Sequence, residues 1–153
     1  MKIIYHCYGG THSSVLCAAL HLGIITEQRL PSMEDLINLP YFDKVPSTQV
    51  GKIFHMGRDE QGNNIYILGC RNCGPLVENT TRDVQRIMGI NRNEVILIDS
   101  KPALNYLIKI GGFLSRRIGL TAMGRFFLYR GIRLAYPSFI NLVLHVKQDL
   151  AKQ

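Results

Sequence analysis

The residues best suited to chemistry lie near the N-terminus, between Cys7 and Ser14. Two glycines, Gly9 and Gly10, follow the cysteine, and Ser13 precedes Ser14. Glycine lets a backbone turn sharply and approach a ligand closely, and serine is favoured where a helix begins. Backbone N–H groups at a helix N-terminus bind anions, and a thiol beside them is readily converted to a nucleophilic thiolate. The stretch therefore predicts an anion-binding loop with a thiol at its base.

The elements on either side must hold this loop in place. The apolar, β-branched residues before Cys7 predict a buried strand, and a nearly apolar helix is predicted over 14–24. A strand, a glycine turn and a helix in this order direct several N–H groups at one point, where the helix dipole favours negative charge. The residues expected to contact a phosphate there are Tyr8, Gly9, Gly10, Thr11, Ser13 and Ser14.

Three further titratable residues are candidates for roles near the loop. His12 is suited to protonating a leaving group or to pairing with the Cys7 thiolate. His6 should face the opposite side of the strand from Cys7, as a packed core histidine. Asp99 ends a predicted strand, where ligands of α/β proteins bind. Its role is left open between general acid, magnesium ligand and cap of the helix that follows.

The rest of the chain predicts an α/β fold. Two strands, over 51–58 and 64–70, are joined by a hairpin turn, and a helix over 76–87 leads to a continuous apolar strand over 94–99. The whole chain, 1–153, is interpreted as one domain. We expect a mostly parallel sheet of about four strands with the first strand central, helices on both faces, and a helical, basic C-terminal third.

Within that C-terminal third the expected order is a helix, a break and further helices. A helix over 102–110 is predicted to stop at Gly111 and Gly112, before a short helix over 113–118. Pro137 is suited to the first position of a final helix that runs to Lys152. The segment 121–135 is left open between helix and a strand–turn.

The formal net charge of +7 is concentrated in residues 101–153, which hold nine of the 18 Lys and Arg residues and one acid, Asp149. Basic residues interleaved with aromatic ones are typical of nucleic-acid surfaces. A non-enzymatic protein that binds RNA, the ribosome or another polyanion is therefore the alternative to a phosphate-binding enzyme. The arginines expected to make this contact are Arg116, Arg117, Arg125, Arg130 and Arg133.

The hydropathy of the chain bears on its location. No apolar run approaches the roughly 18 residues of a membrane span, and no basic, apolar leader precedes the first strand. Four cysteines are compatible with a reducing compartment, where thiols are free, catalytic or metal-bound. The sequence thus predicts a cytoplasmic protein with no membrane span. It predicts no cofactor, and no metal site beyond the alternatives left open for Asp99 and for Cys70 and Cys73.

The pattern Cys7-x-x-Gly10-x-x-Ser13-Ser14 resembles two known phosphate loops. It is similar to the phosphocysteine loop of sugar phosphotransferase IIB domains and, less closely, to that of low-molecular-weight protein tyrosine phosphatases. These resemblances imply a cysteine-dependent phosphatase or phosphotransferase, in which Cys7 attacks the phosphorus of a phosphorylated small molecule or phosphoprotein. The phosphatases have arginine where Ser13 stands, so an arginine from another loop, Arg58 or Arg71, is expected to hold the phosphoryl group.

A second resemblance covers nearly the whole chain. The opening residues 2–14 and the stretches 39–43 and 110–116 resemble a small family of uncharacterised proteins from spore-forming Gram-positive bacteria. That family is a domain of unknown function, so the resemblance implies neither an activity nor a site.

The pair Cys70-x-x-Cys73 follows the predicted strand over 64–70 and is open to three interpretations. One pair supplies only two zinc ligands, and a redox pair is expected at a helix N-terminus just after a strand. Gly74 and Pro75 favour a loop at this point. Zinc binding, redox activity and two unlinked thiols therefore remain as alternatives.

Overall fold

The computed structural model describes residues 1–152, which are built around one four-stranded sheet. The strands and α-helices in chain order are β1 (Lys2–Cys7), α1 (Ser13–His21), α2 (Met33–Asn38), β2 (Ile53–Arg58), β3 (Asn64–Gly69), α3 (Gly74–Ile87), β4 (Val95–Asp99), α4 (Tyr106–Phe113) and α5 (Thr121–Leu150). Short 3₁₀ turns lie at Ser47–Gln49 and Lys101–Ala103, and a π-helical turn at Leu114–Ile118 joins α4 to α5.

The strand order is β2–β3–β1–β4, so β1 is central, as the sequence predicts. β1 runs parallel to both β3 and β4, and only β2 is antiparallel to its neighbour. In this register Cys7 pairs with Gly69, and His6 pairs with Asp99. The carboxyl ends of β1, β3 and β4 therefore meet at one edge of the sheet.

Alternation along β1 separates two packed layers. Ile3 and Tyr5 lie in the main core with α1, α4 and α5, and both are fully buried. Ile4 belongs to a smaller cluster on the opposite face, beside Leu68 and Val77 of α3. Helices on both faces are thus confirmed, and the two faces give Cys7 and His6 different surroundings.

The predicted break at Gly111 and Gly112 is wrong, because both residues lie inside α4. A Cβ atom on Gly111 would lie 2.5 Å from the backbone nitrogen of Leu128, and one on Gly124 would lie 2.5 Å from that of Ser115. These glycines therefore allow α4 and α5 to approach backbone to backbone. Packing between the helices outweighs the modest preference of glycine for ending a helix.

The start predicted for the final helix at Pro137 is also wrong. Pro137 lies in the interior of α5, a single helix of 30 residues that includes all of 121–135. Residues before and after the proline, among them Ile132, Tyr136 and Phe139, are buried in the main core. Packing of a buried face supplies most of the stability of a helix. α5 therefore continues past Pro137, although proline has no N–H group to donate. None of the helices among residues 1–152 is both long and apolar enough to cross a membrane.

The helix predicted over 102–110 is divided in the structure. Asp99 accepts a hydrogen bond from the backbone N–H of Lys101 (2.9 Å) at the start of the 3₁₀ turn. Asn105 then caps α4 by accepting from the N–H of Ile108 (3.1 Å). The segment predicted as a helix over 113–118 is largely the π-helical turn.

Candidate functional site

Cys7 lies at the carboxyl end of β1, and the loop after it folds back onto its sulfur. The N–H group of Gly10 donates to Cys7 Sγ (3.1 Å), and Ser14 Oγ lies 3.3 Å from the same atom. Gly10 has a φ of +69°, a conformation that glycine adopts without strain. The side chain of Cys7 is buried, with the residue 4% exposed. A backbone donor and a hydroxyl thus surround a thiol at the base of the loop, as the sequence predicts.

The other hydroxyl groups of the loop hold it to its neighbours. Thr11 Oγ1 donates to the carbonyl of Tyr41 (2.8 Å) and accepts from the N–H of Lys44 (3.1 Å). Ser13 Oγ accepts from Ser100 Oγ (3.0 Å), next to the end of β4. The side chains of Thr11 and Ser13 therefore fix the loop's shape, and they are not directed at a free anion site.

Backbone donors remain available at the start of α1. The first N–H groups of a helix have no partner within the helix, and in α1 they belong to residues from Ser13 onward. Tyr8 and Gly9 lie at the outer rim of the loop, where Tyr8 is 45% exposed. An anion at this rim would meet the helix N-terminus.

His12 is held by a carboxylate that the sequence did not single out. Its Nε2 lies 3.1 Å from Asp43 Oδ1. Ser115 Oγ donates to Asp43 (2.8 Å to Oδ2), and Arg125 Nε donates to the same oxygen (3.3 Å). Burial acts to raise the pKa of Asp43, but hydrogen bonds from these three partners outweigh it and hold that pKa below its ordinary value. Asp43 is thus an ionised group that orients the His12 ring.

Two of the arginines expected to contact RNA instead lie against this cluster. Arg125 donates to Asp43, and Arg116 donates to the backbone carbonyls of Asp43 (3.1 Å) and Val45 (2.6 Å). These contacts hold the segment around Asp43 against α5 and the π-helical turn. The three remaining arginines of that set, which are exposed, are Arg117, Arg130 and Arg133.

The structure separates the two arginines expected to hold a phosphoryl group. Arg71 lies beside the loop, because its N–H donates to the carbonyl of Tyr8 (2.9 Å) and its side chain is exposed. Arg58 pairs with Asn64, which in turn pairs with Lys2 at the beginning of β1. Arg58 therefore lies at the opposite end of the sheet, about five residues or roughly 17 Å along the strand from Cys7. Of the two, only Arg71 is near the loop.

His6 is fully buried and lies on the other face of the sheet, as predicted, but it is more than a packed core residue. Its Nε2 lies 2.9 Å from Glu78 Oε1 of α3, and its Nδ1 lies 3.4 Å from Cys70 Sγ. Burial raises the pKa of the Cys70 thiol. Asp99 belongs to this group, with Oδ1 4.0 Å from His6 Nδ1. The structure thus brings Asp99 to His6 and not to Cys7.

The loop predicted to run through Gly74 and Pro75 ends earlier. α3 begins at Gly74, with Pro75 in its first turn, and Cys73 is the exposed N-cap residue. Proline is well suited to the first turn of a helix, so these residues start the helix. Within residues 1–152, no three His, Cys, Asp or Glu side chains are arranged to hold a metal ion.

Sequence reasoning missed Asp43, Glu78 and Ser115. Asp43 is 31 residues from His12 and 72 from Ser115 along the chain, and Glu78 is 72 from His6. Only the position of Glu78, one helical turn after the start of α3, provides a local signal, because it places the carboxylate near the sheet edge.

Comparison with known proteins confirms that nearly the whole chain matches a domain of unknown function. A family model described as "Protein of unknown function (DUF3189)" matches residues 2–148. No curated protein and no solved structure matches the chain. The description of this family names no activity.

Proposed function

The chain belongs to the family of unknown function DUF3189, and we propose from the loop geometry that it binds a phosphate group and presents Cys7 to it as a nucleophile. The observation that carries this proposal is the pair of contacts on Cys7 Sγ, from the Gly10 N–H and from Ser14 Oγ. Both groups can donate to a thiolate, and a thiolate is the form of cysteine that attacks. The substrate class is a phosphorylated small molecule or a phosphoprotein.

The residues of the loop have separate roles in the proposed reaction. Cys7 Sγ attacks phosphorus, so that an S–P bond forms while the P–O bond to the leaving group breaks. His12, oriented by Asp43, gives its proton to the leaving oxygen. N–H groups at the start of α1 stabilise the charge on the phosphoryl oxygens, and Arg71 supplies a cation at the rim. Transfer of the phosphoryl group from Cys7 to water gives a phosphatase, and transfer to an acceptor hydroxyl gives a phosphotransferase.

Inorganic phosphate is expected to protect Cys7 from alkylation by iodoacetamide. A phosphate bound at the loop covers the sulfur, so we expect at least a tenfold lower rate at saturation, the equivalent of about 1.4 kcal/mol. The measurement is peptide-resolved mass spectrometry of all four cysteines, with sodium chloride of equal ionic strength as the salt control. Ser14→Ala should weaken the protection. Equal rates of Cys7 alkylation in phosphate and chloride would show that the loop binds no phosphate.

A second candidate function is the binding of RNA or another polyanion by the C-terminal third. The observation in its favour is that residues 101–148 contain no acid and that three arginines of this segment, Arg117, Arg130 and Arg133, are exposed. Lys109 and Arg116 are exposed in the same segment, although the guanidinium of Arg116 also donates to backbone carbonyls.

If the exposed arginines bind a polyanion, replacing them with glutamine should weaken binding of single-stranded RNA uniformly across sequences. Each phosphate contact contributes about 0.7 to the slope of log affinity against log salt concentration. Removing all three arginines should therefore reduce that slope by about 2, as measured by fluorescence anisotropy. Arg58→Gln, at the far end of the sheet, is the matched control. An unchanged slope in the triple variant would exclude these residues as the contact surface.

A further inference from the structure

Cys70 and Cys73 bracket a closed turn between β3 and α3. The N–H group of Cys73 donates to the carbonyl of Cys70 (2.9 Å), and Arg71 between them has a φ of +50°. The end residues of a closed four-residue turn have Cα atoms less than about 7 Å apart, which overlaps the range that a disulfide spans. The backbone of the turn thus holds the Cα atoms of the two cysteines within the range that a disulfide can span.

The two thiols have opposite environments. Cys73 is exposed and occupies the N-cap of α3, a helix of 14 residues. A helix N-terminus favours a negatively charged sulfur. Cys70 is buried, and burial raises the pKa of its thiol. Cys73 is therefore the thiol that an incoming reagent can reach first, and Cys70 is the thiol that reacts second.

The buried thiol has a base next to it. His6 Nδ1 lies 3.4 Å from Cys70 Sγ, and the other ring nitrogen of His6 is held by Glu78 at 2.9 Å. Asp99 and Lys101 form an ion pair (3.4 Å) beside the same ring. When a thiol, an imidazole and a carboxylate contact one another in this order, the imidazole can remove the proton of the thiol and make it a nucleophile. Nothing in the proposed reaction at Cys7 uses this group.

We propose that Cys70 and Cys73 are a redox-active pair that forms a reversible disulfide by exchange with a disulfide substrate. The Cys73 thiolate attacks one sulfur of the substrate disulfide, whose S–S bond breaks and releases one thiolate. The product is a mixed disulfide on Cys73. His6 then removes the proton of Cys70, and Cys70 Sγ attacks Cys73 Sγ.

This second step releases the second substrate sulfur as a thiolate, and both released thiolates take up the protons that the two cysteines lost. The net result is that two protein thiols are oxidised to one disulfide while the substrate disulfide is reduced to two thiols. The reverse sequence reduces the pair.

The two thiols and Cys7 Sγ lie on opposite faces of the sheet, although Arg71 of the turn also lies beside the phosphate loop. His6 and Cys7 are neighbours in β1, and their side chains alternate between the two faces of the sheet. The contact of Cys70 Sγ with residue 7 is to the Cys7 backbone carbonyl (3.4 Å). The redox proposal consequently predicts that Cys7→Ser leaves the Cys70–Cys73 disulfide intact.

The test is equilibration of the full chain in mixtures of reduced and oxidised glutathione, followed by acid quenching, alkylation and mass spectrometry of the peptides. We expect an intramolecular Cys70–Cys73 disulfide in the wild type and in Cys7→Ser, at the same glutathione ratio. In Cys70→Ser, Cys73 should stop at the mixed disulfide with glutathione. A wild type in which Cys73 also stops there, or in which Cys70 pairs with Cys7, would overturn the proposal.

The role of His6 has its own readout. His6→Asn should slow the second step by about tenfold or more, so that the glutathione mixed disulfide on Cys73 accumulates transiently while the first step keeps its rate. Glu78→Gln retains a hydrogen-bonding partner for His6 and should lie between His6→Asn and the wild type. If both variants resolve the mixed disulfide at the wild-type rate, His6 is not the base, and the assigned proton path is wrong.

Discussion

Replacing Asp43 with alanine is expected to lower the free energy of unfolding by about 3–5 kcal/mol, the usual cost of removing one partner from a buried charge network. The side chain of Asp43 is 2% exposed and receives contacts from three elements, through His12, Ser115 and Arg125. Without the carboxylate, Arg125 keeps a charge that no longer has its partner, and the Ser115 hydroxyl loses its acceptor. Urea unfolding at pH 7 measures the loss.

The matched control is Asp83→Ala in α3. Asp83 also pairs with an arginine, Arg86 (3.0 Å), but both side chains are more than 60% exposed. Exposed pairs of this kind contribute less than about 1 kcal/mol, so a much smaller loss is expected. If the two variants unfold at the same urea concentration, Asp43 does not hold the loop and the C-terminal helices together.

The same carboxylate predicts how stability depends on pH. Because the folded pKa of Asp43 lies below its ordinary value, ionised Asp43 stabilises the fold above the unfolded pKa of about 3.9. This contribution is lost as the pH falls through the folded pKa. The wild type should therefore lose stability steeply in acid below about pH 4, and Asp43→Asn should show a shallower decline. The pKa of Asp59 also lies below its ordinary value. Asp59 therefore keeps part of the pH dependence of stability in the Asp43→Asn variant.

The loop was predictable because its contacts are local in sequence. Cys7 reaches Gly10 three residues later and Ser14 seven residues later, so residue types and spacing alone define the geometry. The partners of His12 come from segments 31 or more residues away, and no local pattern indicates which acid will meet which histidine. The sequence therefore predicts the thiol and its donors but not the Asp43 carboxylate that orients His12.

The fold shows the same division between local and distant causes. Apolar runs predicted the strands and a mostly parallel sheet, because a buried strand between helices has few alternatives. The predicted break at Gly111 is wrong, because it rests only on the low helix propensity of glycine. In the structure it is required for the close approach of α4 to α5, and a partner that lies 17 residues later in sequence, Leu128, is not visible from the local pattern.

Gly10→Ala is expected to cost about 2–6 kcal/mol through two separate effects. A side chain at φ +69° is strained, at about 1–3 kcal/mol. The added Cβ would also lie 2.5 Å from the backbone nitrogen and 2.9 Å from the Cα of Gly69. Gly69 is held in β3 by its pairing with Cys7, so the strand cannot yield without disturbing the sheet, and overpacking of this kind costs about 1–3 kcal/mol more.

Gly89→Ala separates the two effects. Gly89 has a nearly identical φ of +66°, but its Cβ would meet nothing within 4 Å. It should show only the strain, so the difference in unfolding free energy between the two variants isolates the contact of the loop with β3.

Peptide-resolved alkylation of Cys7 under native conditions gives a second readout. Because Gly10→Ala displaces the N–H group that donates to Cys7 Sγ, Cys7 should lose its protection by phosphate, whereas Gly89→Ala should leave that protection unchanged. Equal stability losses and unchanged Cys7 chemistry in the two variants would mean that the turn at Gly10 does not create the surroundings of Cys7, and the phosphate-binding proposal would lose the geometry on which it depends.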